Sequence, residues 1–320
     1  MERVQSASPA LSATPGVARI PMALVTGHEH NAWIVGSSDA VIIDPGPRSA
    51  AGLLLQSMAQ LGVRPARVTH VLLTDLSLDA CGNSDLFPNA VVVAQGCVSG
   101  SALQRELAER TSDDARWCSM FDRFADRPGA WDTPAQSTVN GVLNAGALRV
   151  TTWVPGRTVH TPVGEFTGVS LPGVGARTMA WMDAHGRLFG GESCNLDVEP
   201  TVRLMDAYLE SLLVLTRLSP RLILPGSGAA NSAIAVAFRS LSLFANNLIS
   251  NIQYALDGPR TVAELKFRDL GYYPDSQAEF AMACRTLDAA LSALHSAGVA
   301  TRQQDPNGLY RYFIERPNRY

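Results

Sequence analysis

The residues best placed for chemistry follow a short buried strand. Val68–Leu73 is an apolar run with β-branched residues at its start, the pattern of a strand covered on both faces. The loop after it, Thr74–Asn83, carries Asp75, Ser77, Asp79 and Cys81 within seven residues. Cys81 could attack a carbonyl carbon as a thiolate, but a lone cysteine more often packs as a small hydrophobe. Ser77, and Ser227 in Gly226-Ser227-Gly228, are hydroxyls outside any Gly-x-Ser-x-Gly elbow. They read as small polar fillers. His28 and His30 lie two apart on an early turn, without the i, i+4 spacing of a zincin helix, and default to solvated or hydrogen-bonded roles. His70 lies in mid-strand and reads as packed. The five cysteines include no C-x-x-C pair, which argues against a cysteine zinc site or a disulfide framework and for reduced thiols in a cytoplasmic protein. Oxygen chemistry from carboxylates and hydroxyls is what remains.

These groups need elements to hold them. Strands are expected at Val17–Thr26, Asn31–Gly36 and Ala40–Asp44, the last stopped by Asp44-Pro45-Gly46. A helix over Ser49–Leu61, the strand Val68–Leu73 and a strand at Val91–Ala94 follow. Ser101–Phe124 reads as helix and Arg127–Gly146 as loop. Strands then recur near Leu148–Trp153, Thr158–His160, Gly168–Leu171, Arg177–Met182 and Arg187–Phe189. The helix Thr201–Leu218 and the buried strand Arg221–Leu224 complete the series. Strands with interleaved helices, twice over, imply a two-layered sheet core flanked by helices. Beyond it, a helix over Ala245–Leu256, a capping box at Thr261–Glu264, a long helix over Ser276–Ser296 and a hairpin around Asp305–Gly308 make a winged-helix-like module. The expected divisions are a flexible arm at 1–16, the sandwich at 17–244 and the module at 245–320.

The chain has 320 residues, 46% hydrophobic and 17% charged, with a net charge of −3. That composition builds a core and excludes wholesale disorder. No apolar run reaches the roughly 18 residues of a membrane span, and the Ser/Ala/Pro-rich start lacks the features of a secretory signal. The charge balance argues against a dedicated nucleic-acid binder. The candidate recognition helix, with Glu279 and Asp288 against Arg285, is not basic either.

Taken in order, five motifs resemble the metallo-β-lactamase superfamily. Thr69-His70 through Asn83 is similar to the family's Thr-His-x-His-x-Asp-His-x-Gly. Asp44-Pro45-Gly46 resembles its early Asp-x-Gly turn. His160–Leu171 resembles its histidine-rich third motif, Leu188–Glu192 its Leu-Phe-Thr-Gly-Asp, and Leu224–Gly228 its Leu-Pro-Gly-His-Gly. The C-terminal module resembles the winged-helix tail of the β-lactamase-like endoribonuclease and thioesterase subgroup. The resemblance implies an α/β fold, an αββα sandwich with a C-terminal winged-helix-like module.

The family holds two zinc or iron ions through histidines and carboxylates. Here Asp75, Ser77 and Ala80 stand where histidines belong, Gly164 replaces the third-motif histidine, Ser227 the last, and Glu192 the bridging aspartate; only Asp79 is kept. Zinc prefers imidazole or thiolate. The surviving oxygens would suit Mg²⁺ or Mn²⁺ but are too few. Neither a metal nor any other cofactor is therefore expected. By the resemblance Asp75, Asp79 and Glu192 converge in one pocket, with Arg177 and Arg203 available as ion partners. Carboxylates that close cannot all ionise cheaply, so one pKa rises, and the pair can act as general acid and base. Ser77, His160 and Ser227 would orient a small-molecule substrate, either an acyl, ester, thioester or polyketide-like compound. The alternative is an inactive pseudoenzyme that binds a ligand or serves as a scaffold. A homodimer is a further candidate state; membrane and nucleic-acid partners are not expected.

Overall fold

The computed structural model describes residues 11–24, 29–109, 143, 148–196, 200–265, 277–306 and 310–315. Residues 110–124 of the helix expected at Ser101–Phe124, nearly all of the loop at 127–146, His28, Cys118 and the turn at 307–308 lie outside the described residues.

The first sheet has seven strands in chain order: β1 (Leu11–Thr14), β2 (Val17–Ala23), β3 (Glu29–Gly36), β4 (Ala40–Ile43), β5 (Val68–Leu72), β6 (Val91–Gln95) and β7 (Val150–Trp153). It is antiparallel from β1 to β4 and parallel from β4 to β7. The parallel steps require crossovers, supplied by α1 (Ala51–Gln60) between β4 and β5 and a short α2 (Leu78–Cys81) between β5 and β6. A helix α3, described over 100–109, follows β6. The second sheet comprises β8 (Thr158–Thr161), β9 (Gly164–Ser170), β10 (Met179–Asp183), β11 (Arg187–Gly191) and β12 (Leu222–Pro225), in the spatial order β12-β11-β10-β9-β8. Its strands alternate direction up to β11, and β12 returns parallel to β11 through α4 (Met205–Leu218).

Three apolar layers follow from the alternation of side chains along these strands. Trp33, Ile43, Leu72, Trp153, Phe166, Trp181, Phe189 and Leu224 fill the space between the sheets. Trp153 meets Trp181 edge to face with centroids 6.0 Å apart, and Trp33 meets Phe189 at 6.4 Å. Each fully buried side chain of this size contributes roughly 1.5–3 kcal/mol. The outer face of the first sheet packs on α1 and α3 through Leu54, Met58, Leu103 and Leu107. The outer face of the second packs on α4, α5 (Ile234–Ala255) and α6 (Gln277–Ser296). The result is an αββα sandwich.

Two expected divisions shift. Part of the N-terminal arm is ordered, because Leu11–Thr14 pairs antiparallel with β2. The helix expected from Ala245 begins at Ile234, so a boundary at 245 would cut α5 in its middle. Apolar residues Ala237, Phe238 and Leu241 already face the core, which carries the helix upstream. After α5 the capping box at Thr261 forms as expected, with Thr261 Oγ1 accepting from Glu264 N–H and Glu264 accepting from Thr261 N–H. The hairpin β13 (Thr301–Gln304) and β14 (Tyr310–Phe313) also forms, and Arg260 adds a third bridged segment through two backbone bonds with Tyr312. Far from standing out as a recognition helix, α6 buries Ala283, Cys284, Arg285, Leu287, Ala290 and Leu291 in the core.

Candidate functional site

The strand ends of both sheets meet along one edge of the sandwich, and three loops converge there. Trp33 Nε1 on β3 donates to Pro225 O on β12 at 3.0 Å, and Trp181 Nε1 on β10 donates to Leu73 O at 3.1 Å. These two indole bonds pin the sheets together where the loops begin.

The first loop starts at Asp44, which follows β4 with φ +49, a left-handed conformation that costs a non-glycine residue on the order of 1 kcal/mol. Its carboxylate accepts from Thr74 N–H at 2.8 Å and from Thr74 Oγ1 at 2.5 Å. Asp44 is thus buried and clamps the segment leaving β5, a tighter role than that of a turn residue at the rim. Asn83 Nδ2 donates to Pro45 O and Pro47 O, locking the same turn to the residues after α2.

Asp75 follows Thr74 and is buried. Ser77 is the N-cap of α2, its Oγ accepting from Ala80 N–H at 3.2 Å, a contact worth about 1 kcal/mol. Asp79, in the first turn of α2, is exposed, so it does not share the burial of Asp75. Cys81 is fully buried beneath them.

From the second sheet, Gly191 closes β11 at φ +52, and Glu192 starts a short 3-10 turn, half-buried. A Cβ at Gly191 would lie 2.1 Å from Thr74 Oγ1, so only glycine lets this turn lie against the Asp44–Thr74 clamp. Asn195 Oδ1 accepts from Ser227 N–H at 2.8 Å, and Gly226 N–H donates to Gly191 O at 2.9 Å. Asn31, reaching across from β3, donates to Pro225 O and Gly228 O. Ser227 sits buried in the turn so fastened.

The electrostatics follow from this burial. Desolvation raises the Asp44 carboxyl to about 7, with Asp75 and Glu192 adding like-charge pressure against the hydrogen bonds from Thr74. Desolvation likewise lowers His30 to about 4, so the ring, whose Nε2 is 3.3 Å from Asp44 O, is neutral at pH 7. Asp75 acts on both groups, and Glu192 on Asp44. His30, Asp44, Asp75 and Glu192 therefore form one electrostatic neighbourhood. His30 was missed because a histidine beside an early turn carries no sequence mark of burial.

The third loop corrects the sequence reading. His160 lies on β8, the edge strand farthest from β11 and β12; it is exposed and its Nδ1 is 3.1 Å from Glu165 Oε1. Gly164 opens β9 at the turn of the same hairpin. What reaches the site is the other end of β9. Leu171–Thr178 folds back so that Leu171 N–H donates to Thr178 O, and Met179 N–H then donates to Thr74 O at 2.8 Å. The segment Leu171–Thr178, not the one ending at Gly164, thus borders Thr74 and Asp75, with Val174 buried in it. Gly173 takes φ +146, and a Cβ there would come within 2.5 Å of Tyr208 Cα. Only the pairing of β9 with β10 shows which end of β9 faces the site.

Beside Asp75 an open cleft of about 190 Å³ is lined by Leu76, Glu106, Glu109, Gly175, Ala176, Arg177 and Arg203. Arg177 Nη1 pairs with Glu106 at 3.0 Å and approaches Cys97 Sγ at 3.8 Å. Arg203 is positioned through its backbone, since its N–H and that of Leu204 both donate to Gly173 O. Both arginines were visible in sequence as carboxylate partners; Glu106 and Glu109 on α3 carried no such signal.

This sandwich, with its loops gathered at the strand ends, has the metallo-β-lactamase fold. Residues 25–163 match the metallo-β-lactamase superfamily, and the chain carries that superfamily's fold. It is similar to a metallo-β-lactamase family protein of Thermus thermophilus (21% identity, TM-score 0.76), over 95% of this chain and 100% of that one. A β-lactamase domain protein of Burkholderia ambifaria is 18% identical with a TM-score of 0.72, covering 98% and 96% of the two chains. Likenesses at these identities speak for the fold alone. No curated protein matches the chain.

The fold family's paired metals do not fit the residues present. Among the described residues no three His, Cys, Asp or Glu side chains come together as a metal cage. The motif positions offer carboxylate, hydroxyl and methyl groups in place of imidazoles.

Proposed function

We propose that the cleft is a metal-independent acid–base site acting on a small acyl, ester, thioester or polyketide-like substrate, hydrolase- or thioesterase-like or of lyase or cyclase type. The observation that carries this reading is the carboxyl cluster of Asp44, Asp75 and Glu192, one member of which is raised to about 7 by burial. A carboxyl near neutrality beside ionised ones can give and take protons at pH 7. In a hydrolytic turn, an ionised carboxylate takes a proton from water and the oxygen bonds to the acyl carbon. The carbon–sulfur or carbon–oxygen bond then breaks, and a neutral carboxyl protonates the leaving group. The proton of the cluster is assigned to Asp44, and contact with substrate to Asp75 and Glu192 beside it. Asp79, exposed on α2, contributes at the mouth, and Ser227 contacts substrate from its turn.

The alternative reading, a ligand-binding or scaffold protein without turnover, draws on Ser77, whose hydroxyl is spent on capping α2. The segment from α5 to β14 is assigned as a winged-helix-like module that covers the second sheet, its long helix being too buried to enter a nucleic-acid groove. Among the described residues no helix is long and apolar enough to cross a membrane.

The test is turnover of p-nitrophenyl butyrate and butyryl-coenzyme A by the metal-assayed full chain, with Asp75→Asn and Glu192→Gln in parallel. Loss of ~10²-fold or more in either variant, with unchanged melting, supports acid–base catalysis. Equal turnover in all three proteins, or stoichiometric zinc or iron in the purified protein, defeats it.

A further inference from the structure

Resting on that reading of the cleft, we propose that Arg177 and Arg203 form the recognition site for an anionic group of the substrate, a carboxylate or a phosphate. The two guanidinium-bearing residues line the same cleft as Asp75, so an anion held there would place the adjoining atoms next to the carboxyl cluster. The other charged residues lining this cleft are Asp75, Glu106 and Glu109.

Arg177 is built for the task. Its Nη1 is held by Glu106 Oε2 and directed at the Cys97 thiol, which fixes the plane of the guanidinium. Its Nε and Nη2 make no hydrogen bond to a described residue, and the side chain is 40% exposed. Nε and Nη2 are the two parallel donors that engage a carboxylate or phosphate in bidentate fashion. The guanidinium also lies along Gly96, where a Cβ would stand 3.4 Å from Nε, so the bare glycine backbone leaves room for it. Arg203 is carried on a strut that the fold determines twice over. Val202 N–H donates to Thr286 Oγ1 on α6 at 3.0 Å, while Arg203 and Leu204 N–H grip Gly173 O. The C-terminal helix thereby sets the position of a cleft arginine.

Glu106 is the resident competitor for Arg177. An incoming anion either takes the open edge or displaces that carboxylate, and removing it should therefore strengthen binding.

Isothermal titration calorimetry of the full chain with inorganic phosphate and with butyrate, at constant ionic strength with chloride as the balancing salt, tests the proposal. Saturable binding of either anion is expected, and whichever binds more tightly identifies the headgroup. Arg177→Gln, which keeps much of the length of the side chain, and Arg203→Gln should each weaken binding about tenfold, the scale of one charge-assisted contact. Glu106→Gln should tighten it several-fold, and the exposed Arg67→Gln should leave it unchanged. Neither anion binding, or binding indifferent to both arginine variants, overturns the proposal. Asp75→Asn separates this inference from the catalytic reading: it should abolish turnover yet leave anion affinity equal or higher.

Discussion

The two ends of the second sheet carry similar polar residues and behave in opposite ways. At the β11–β12 end, Glu192, Asn195 and Ser227 sit in turns fastened by backbone bonds and by Asn31 from the other sheet. At the β8–β9 end, His160 and Glu165 pair in solvent on an edge hairpin. An exposed pair of this kind contributes about 0–1 kcal/mol. Polar groups in a desolvated turn must be matched with partners, and their protonation then depends on neighbours. What distinguishes the site from the surface is therefore the fastening of its turns to the other sheet, which buries them.

The largest test of this contrast is Gly191→Ala. The added Cβ must displace Thr74 from Asp44, so a loss of about 3 kcal/mol or more in thermal or urea unfolding is expected. A change under about 1 kcal/mol would show that the clamp yields easily. Asn31→Ala comes next. It removes the donors to two buried carbonyls and should cost roughly 2–3 kcal/mol by the same assay.

The pH dependence of stability sharpens the contrast further. Asp44 has a folded pKa raised from 3.8 to about 7, so the folded state binds more protons and its contribution falls as pH rises from about 4 to 7. His30 has a folded pKa lowered from 6.5 to about 4, so its contribution rises with pH over about 4 to 6.5. The two oppose each other, each on the order of 3 kcal/mol. The wild-type profile should be nearly flat in that window. Asp44→Asn should expose a rise with pH and His30→Gln a fall, as read from melting temperatures between pH 4 and 7. Matching profiles in all three proteins would remove the coupled cluster.

The smallest effect is expected at the exposed end. His160→Ala should change stability by less than about 0.5 kcal/mol and leave turnover and anion binding untouched. A clear loss of activity would return the β8–β9 hairpin to the site.

Much of the architecture was legible from local pattern. The apolar run at Val68–Leu73, the Asp44-Pro45-Gly46 stop and the capping box at Thr261 all follow from periodicity and turn chemistry. Periodicity reports which residues face a core, and turn residues report where the chain must stop. Both are properties of a few neighbouring residues, so local pattern determined a two-layered sheet core flanked by helices, while the sandwich and the replaced imidazoles came from the resemblance of motifs. Tertiary structure decided the rest. That His30 is buried, that Leu171–Thr178 rather than His160–Gly164 borders Asp75, that α3 brings Glu106 to Arg177, and that Thr286 of α6 holds the strut bearing Arg203 are all contacts between residues far apart in the chain. Burial sets their protonation and pairing sets their position, and both arise only when the two sheets and their outer helices close on one another.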